Sequence, residues 1–152
     1  MTWLVFIRKY FLWFAAANLV WETAQLPLYT IWTEGNTSTI AFAALHCTGG
    51  DMLIGVVSLL GALSVCGNSK WPDERYWAVA VPALVLGLAY TFYSEWHNAV
   101  VSHSWAYSSL MPIIPGTGIG LSPIAQWIII PLAAFGWLNQ HRRYMRNPKE
   151  EN

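Results

Sequence analysis

Four apolar stretches, each about as long as a bilayer core is thick, constrain this chain more than any other feature of its sequence. A hydrocarbon core of about 30 Å needs roughly 20 helical residues to cross. Runs of that kind lie near Tyr10 to Trp32, Ile40 to Cys66, Trp77 to Val101 and Pro123 to Gln140. Between them fall Thr33 to Thr39, Gly67 to Tyr76 and a long segment from about Ser102 to Ser122. Only 11% of the 152 residues are charged, against roughly 25% in a soluble domain, too few to coat a water-facing surface. The expectation is an all-α integral membrane protein. It would be a single four-helix transmembrane domain over 1–152, lying in the lipid bilayer, with an apolar outer loop before helix four. Net charge is zero and no Lys/Arg stripe occurs outside the last dozen residues, so nucleic acid is not an expected partner.

The cations set the orientation, because short cytoplasmic loops retain Lys and Arg. Arg8 and Lys9 precede the first stretch, Lys70 and Arg75 lie between the second and third, and Arg142, Arg143, Arg146 and Lys149 follow the fourth. Both termini are therefore expected in the cytoplasm, and the membrane is expected to be a bacterial inner (plasma) membrane. The first stretch follows its cations as a signal sequence would, but its length and its Glu22 and Gln25 mark an uncleaved anchor. Trp3, Trp13, Trp71, Trp77 and Trp137 fall toward the inner interface and Trp32, Trp96 and Trp105 toward the outer one, as aromatic belts do.

Polar side chains within the stretches carry the functional signal, since an ionisable group in hydrocarbon is costly and needs a partner, a cavity or a substrate. Glu22 and Gln25 share a face of the first span. The second holds His46, Cys47 and Asp51; the third ends with Tyr90, Tyr93, Glu95, His97 and Asn98; the fourth offers Gln126. Thr91, Glu95, Asn98 and Ser102 follow one helical stripe, and Tyr90, Tyr93 and His97 an adjoining one. At 1.5 Å per residue, Glu22 and Asp51 fall near mid-membrane and His46, Glu95, His97, Asn98 and Gln126 in the outer half. The inner halves of spans three and four hold no charged or amide side chain before Asn139 and Gln140 at the very end of span four. The expected site is thus a pocket open to the outside above a dry plug.

Three carboxyls, Glu22, Asp51 and Glu95, share that half with no Lys or Arg. They cannot all stay ionised without protons, a metal or a cationic ligand. Two chemistries follow. Asp51, Glu95, Glu22 and His97 suit acid/base catalysis. His46, Asp51, Glu95 and Glu22 suit a divalent transition metal as cofactor. Gln25, Tyr90, Tyr93, Asn98, Trp105 and Gln126 would line the ligand. Gly49 and Gly50, beside His46, invite close helix approach. Ser122-Pro123 reads as a helix cap and first residue after a glycine-rich run. Pro27 predicts a kink beside Glu22. The Ser102 to Leu121 connection is too apolar to be freely solvated and is expected in the interface or over the pocket as a lid. Cys47 and Cys66 lie about 28 Å apart on one helix, which rules out a disulfide between them.

No His-Glu-x-x-His, Cys-x-x-Cys, Gly-x-Ser-x-Gly or phosphate-loop pattern is present. The six residues Glu22-Thr23-Ala24-Gln25-Leu26-Pro27 resemble a short helix segment of the sigma-2 receptor and sterol-isomerase superfamily. That resemblance implies that a small bundle with buried carboxyls can hold an amphipathic ligand. Three function classes follow. The first is a membrane-embedded enzyme or binding protein for a lipid-like, amphipathic or cationic small molecule. The second is a small subunit or assembly factor of a larger membrane complex. The third is a metal-ion or proton transporter, for which a homo-oligomer would supply the missing polar path from the Ser58 and Ala62 face.

Overall fold

The structure, a computed structural model, describes residues 3–146. It is helical throughout, with no β-strand among the described residues beyond two isolated bridges. Helix α1 runs Trp3–Gln25, a short α2 spans Ile31–Glu34, and α3, α4 and α5 cover Thr37–Cys66, Tyr76–Glu95 and Leu121–Arg146. Four helices are long and apolar enough to cross a membrane: Trp3–Leu28, Thr37–Cys66, Tyr76–Val101 and Leu121–Tyr144. Their outer surfaces carry large apolar side chains that no soluble monomer would leave in water, such as Leu12, Phe42, Leu53 and Val65.

Local chemistry sets the helix ends. Asn36 caps α3, its Oδ1 accepting from the Thr39 N–H at 2.9 Å. Pro27 has no N–H to give, and the chain leaves α1 at Gln25 for a single 3₁₀ turn, Leu26–Leu28. The first helix begins at Trp3, so Arg8 and Lys9 lie inside it rather than ahead of it. One turn bearing an arginine and a lysine does not break a helix whose Phe6 and Tyr10 are buried. The fourth helix begins at Leu121, so Ser122 is already helical and its hydroxyl is spent elsewhere.

The four long helices form a ring in which α1 and α4 each pack against α3 and α5. One end is filled by aromatic rings. Phe6 meets Trp71 edge-on at 4.8 Å, Tyr10 lies on Phe14 and Phe135, and the Tyr76 hydroxyl donates to the Phe135 carbonyl at 2.6 Å. Trp71 is therefore a core residue and not part of an interfacial belt. Basic residues from α1 and α5 gather at this end. Lys9 Nζ stands 2.7 Å from His141 Nε2, and Arg142 lies over the Tyr76 ring and donates to the carbonyls of Pro72 and Asp73.

At the opposite end, the 102–120 connection folds over the top of α1. Ser108 N–H donates to the Leu28 carbonyl at 2.9 Å, Thr30 N–H to the Ala106 carbonyl at 3.0 Å, and Ser108 Oγ to the Pro27 carbonyl at 2.9 Å. These bonds join Tyr29 and Tyr107 in a one-residue antiparallel bridge, with their rings 5.4 Å apart. The α4 ladder widens into a π-helical turn over Trp96–Val101, directly after Glu95, an irregularity frequently found at functional sites.

Candidate functional site

Asn18, Glu22 and Gln25 recur at i, i+4 and i+7 on α1, and all three are buried. Facing them, the first turns of α5 bring in Ser122, Gln126 and Trp127, and α3 brings in Asp51 from across the ring. The Gln126 amide is the hub. Its Nε2 lies 2.8 Å from Asn18 Oδ1, 2.9 Å from Glu22 Oε1 and 2.8 Å from Asp51 Oδ2. An amide nitrogen has two protons, so three acceptors outnumber its donors. Asp51 Oδ1 accepts from Trp127 Nε1 at 2.9 Å. Gln25 Nε2 donates to Glu22 Oε1 at 2.9 Å, while Gln25 Oε1 accepts from Ser122 Oγ at 2.8 Å. Ser122 in turn accepts from Trp21 Nε1 at 3.2 Å. One connected polar network thus ties α1, α3 and α5 together inside an apolar bundle.

A second polar centre lies on α4. Glu95 is 7% exposed, and its Oε2 accepts from the Tyr107 hydroxyl at 2.5 Å. Burial pushes the Tyr107 phenol above its ordinary value, and the bond to Glu95 acts in the same direction, so Tyr107 keeps its proton and donates it. Tyr29 is raised in the same way, by burial first and then by Glu95. Beside Glu95 stand two groups without partners: Trp105 Nε1 and Thr91 Oγ1 are both buried with no hydrogen bond.

Between the two centres lies a cavity of about 940 Å³. Glu22, Gln25, Glu34, Asp51, Gln126, Thr91, Glu95, Asn98 and His46 are among its polar lining, and Leu26, Phe42, Leu53, Ile54 and Trp105 are among its apolar walls. No Lys or Arg lines it. Phe42, His46, Leu53 and Tyr90 are also exposed on the outside of the bundle, so the cavity reaches the lipid-facing flank of α3 and α4.

The residues singled out from the sequence divide accordingly. Glu22, Gln25, Asp51 and Gln126 join one network; Glu95, Asn98, Trp105 and Tyr90 line the cavity around it. His97 and Tyr93 do not line it. Their rings are tilted to each other, 5.9 Å between centres, and both side chains are exposed, Tyr93 on α4 and His97 in the π-helical turn that follows it. The proposed metal set is not assembled: among the described residues no three His, Cys, Asp or Glu side chains converge as metal ligands. Both Asp51 oxygens are taken by N–H donors, Glu95 is held by Tyr107, and His46 stacks on Phe42 at the exposed wall. A divalent transition metal therefore has no support in this geometry.

Two smaller expectations also change. A Cβ on Gly49 or Gly50 would meet nothing within 4 Å, so neither glycine sits at a helix contact; Gly55 against Phe14 and Gly87 against Trp127 do. Ser58 and Ala62 are buried within this chain, and so are not a face through which copies could build a polar path. Asn18, Trp127 and Tyr107 are the site residues that sequence reasoning missed. Asn18 had a legible signal, one helical turn before Glu22 in an otherwise apolar run.

The fold and site define an all-α bundle with four membrane-length helices and a buried polar network beside a cavity. The chain matches no protein-family model, no curated protein and no solved structure.

Proposed function

We propose that this is an integral protein of a plasma membrane, of the bacterial inner-membrane kind, that binds one lipid-like, amphipathic small molecule in the cavity between α1, α3 and α4. One observation carries the reading. A cavity of about 940 Å³, large enough for a small lipid or drug-sized molecule, combines a carboxyl and amide lining with apolar walls that reach the lipid-facing flank. A polar head would sit between Glu95 and the Gln126 network, and the tail would run past Phe42 and Leu53 toward the bilayer. The filled aromatic end makes through-transport a poor fit, because beyond Phe14 and Trp127 the interior is packed with Phe6, Tyr10, Tyr76 and Phe135.

The orientation that goes with this reading has both termini in the cytoplasm and the 102–120 connection outside. It is supported by Lys9, Arg142 and the Lys70–Arg75 turn lying at the same end of the bundle.

A second reading, an enzyme, rests on the short Tyr107–Glu95 contact. A carboxyl held by a phenol at a cavity wall is placed to exchange a proton with a bound molecule.

The test uses Gly50. A side chain there enters open space at the cavity wall, whereas Gly49 is equally unobstructed but does not line the cavity. Protein purified in detergent should release an amphipathic compound, detected by mass spectrometry of an organic extract. Gly50→Leu should lose it and Gly49→Leu should keep it. Equal retention by both variants would overturn the reading.

A further inference from the structure

The unpartnered groups beside Glu95 say which head the cavity takes. Buried polar atoms are almost always hydrogen-bonded, and each exception calls for an explanation. Here Thr91 Oγ1 and Trp105 Nε1 are both such exceptions, and both residues line the same cavity. Thr91 is 6% exposed, and it lies one helical turn before Glu95 on the same face of α4. A threonine in a helix can return its hydroxyl to the carbonyl four residues back, as Thr23 and Thr48 do here at 2.8 Å. Thr91 makes no such bond. Its hydroxyl is therefore held open beside a carboxyl of which Tyr107 occupies only Oε2, and the Trp105 N–H faces the same Glu95–Tyr107 pair without closing a hydrogen bond to either.

We infer that Glu95, Thr91 and Trp105 together recognise the hydroxyl of an alcohol-headed lipid. Donors and acceptors decide the head group. Trp105 Nε1 only donates, so it needs an acceptor on the ligand. The Glu95 carboxylate only accepts, so it needs a donor. Thr91 serves as either. A hydroxyl supplies both functions from one oxygen: its proton goes to Glu95 and its lone pairs take the Trp105 N–H and the Thr91 O–H. A primary ammonium has donors only and leaves Trp105 unpaired. An ether has acceptors only and leaves Glu95 without a donor. A carboxylate head would enter a cavity already lined by Glu22, Glu34, Asp51 and Glu95 and by no Lys or Arg. This inference rests on the amphipathic-ligand reading above and specifies its head group.

The test uses the full chain in lipid nanodiscs and three photoreactive probes with one common alkyl chain, ending in a hydroxyl, a methyl ether or a primary amine. Crosslinked peptides are mapped by mass spectrometry. The alcohol should label peptides of the cavity wall most strongly. Thr91→Val and Trp105→Phe should each weaken that labelling about three- to tenfold, the size of one net hydrogen bond, and Trp105→Phe should leave amine labelling unchanged, because a donor-only indole makes no bond to an ammonium. Thr91→Ser, which keeps the hydroxyl, should label as the wild type does. Equal labelling by the three heads, or strongest labelling by the amine, would overturn the hydroxyl assignment and leave the cavity reading standing. Absence of wall labelling by every probe would overturn both. The comparison of heads on wild-type protein decides the matter even if a variant fails to fold.

Discussion

Gly87 of α4 lies flat against the indole of Trp127, so close that a Cβ at position 87 would overlap the ring atoms Cζ3 and Cε3. The same indole donates from Nε1 to Asp51 at 2.9 Å. A missing side chain on one helix thus sets the depth of a tryptophan on a second, which in turn holds a carboxylate on a third.

Replacing Gly87 by alanine sets two effects against each other. Alanine is favoured over glycine in a helix by about 1 kcal/mol, but overpacking a closed core costs about 1 to 3 kcal/mol. The indole cannot swing aside, because it is 3% exposed and tethered to Asp51. The clash should win. Gly87→Ala is expected to lower the thermal midpoint in detergent, whereas Gly136→Ala, where a Cβ meets nothing within 4 Å, should raise it or leave it unchanged. A stabilised Gly87→Ala would show that Trp127 is not pinned.

The carboxyls should respond differently to amide substitution. Asp51 accepts one N–H on each oxygen, from Gln126 and from Trp127. An asparagine has one oxygen, so Asp51→Asn turns an N–H donor against an NH₂ group in a buried site, at a cost of about 1 to 3 kcal/mol. Glu95 accepts from Tyr107 on one oxygen only, and a glutamine oxygen can replace it. Glu95→Gln should therefore change stability by less than about 1 kcal/mol and should instead abolish ligand retention. Thermal unfolding of the two variants side by side checks this, and equal losses would dissolve the distinction between a structural and a ligand-facing carboxyl.

The spans were legible because hydropathy adds along the chain and needs no knowledge of neighbours. The start of α1 was not, since Arg8 and Lys9 interrupt the apolar run without interrupting the helix. The identity of the polar site residues was mostly legible for the same reason that they are costly: Glu22, Asp51 and Glu95 stand out in apolar sequence. Their pairing was not. Gln126 reaches Asn18 across 108 residues and Asp51 across 75, and no local pattern encodes which helix faces which. The Gly49-Gly50 pair shows the limit most plainly. Two adjacent glycines suggest a close helix crossing, yet the crossings fall at the isolated Gly55 and Gly87, opposite aromatic rings contributed by other helices.

The Tyr107 phenol lies above its ordinary value of about 10 because it is buried and bonded to Glu95. For an acid whose folded-state value is raised, the neutral form favours the fold. The contribution is complete below the unfolded value and is lost progressively as pH rises from there through the folded one. In an alkaline titration followed by phenolate absorbance, subtracting the Tyr107→Phe curve from that of the wild type should show no phenolate near the ordinary value. The component should emerge at higher pH. A difference curve centred near the ordinary value would mean that Tyr107 is solvated and that the contact with Glu95 does not form.

The last prediction concerns which way the bundle faces. If all four membrane-length helices cross the bilayer, the start of the first and the end of the last fall on one side, and the sign of the flanking charge is expected to choose that side. Arg8, Lys9, Lys70, Arg75, Arg142 and Arg143 all belong to segments at the end opposite the cavity, while Thr33 to Thr39 and Ser102 to Ser122 hold no Lys or Arg. A reporter that is active only in the cytoplasm, fused after residue 152, should therefore be active, and one active only after export should be silent there. The reverse pattern should hold for insertions at Gly116, a turn residue with φ of +78° and open space around it. A silent cytoplasmic fusion at the C-terminus, together with an active exported one, would invert the bundle and place the mouth of the cavity on the cytoplasmic side.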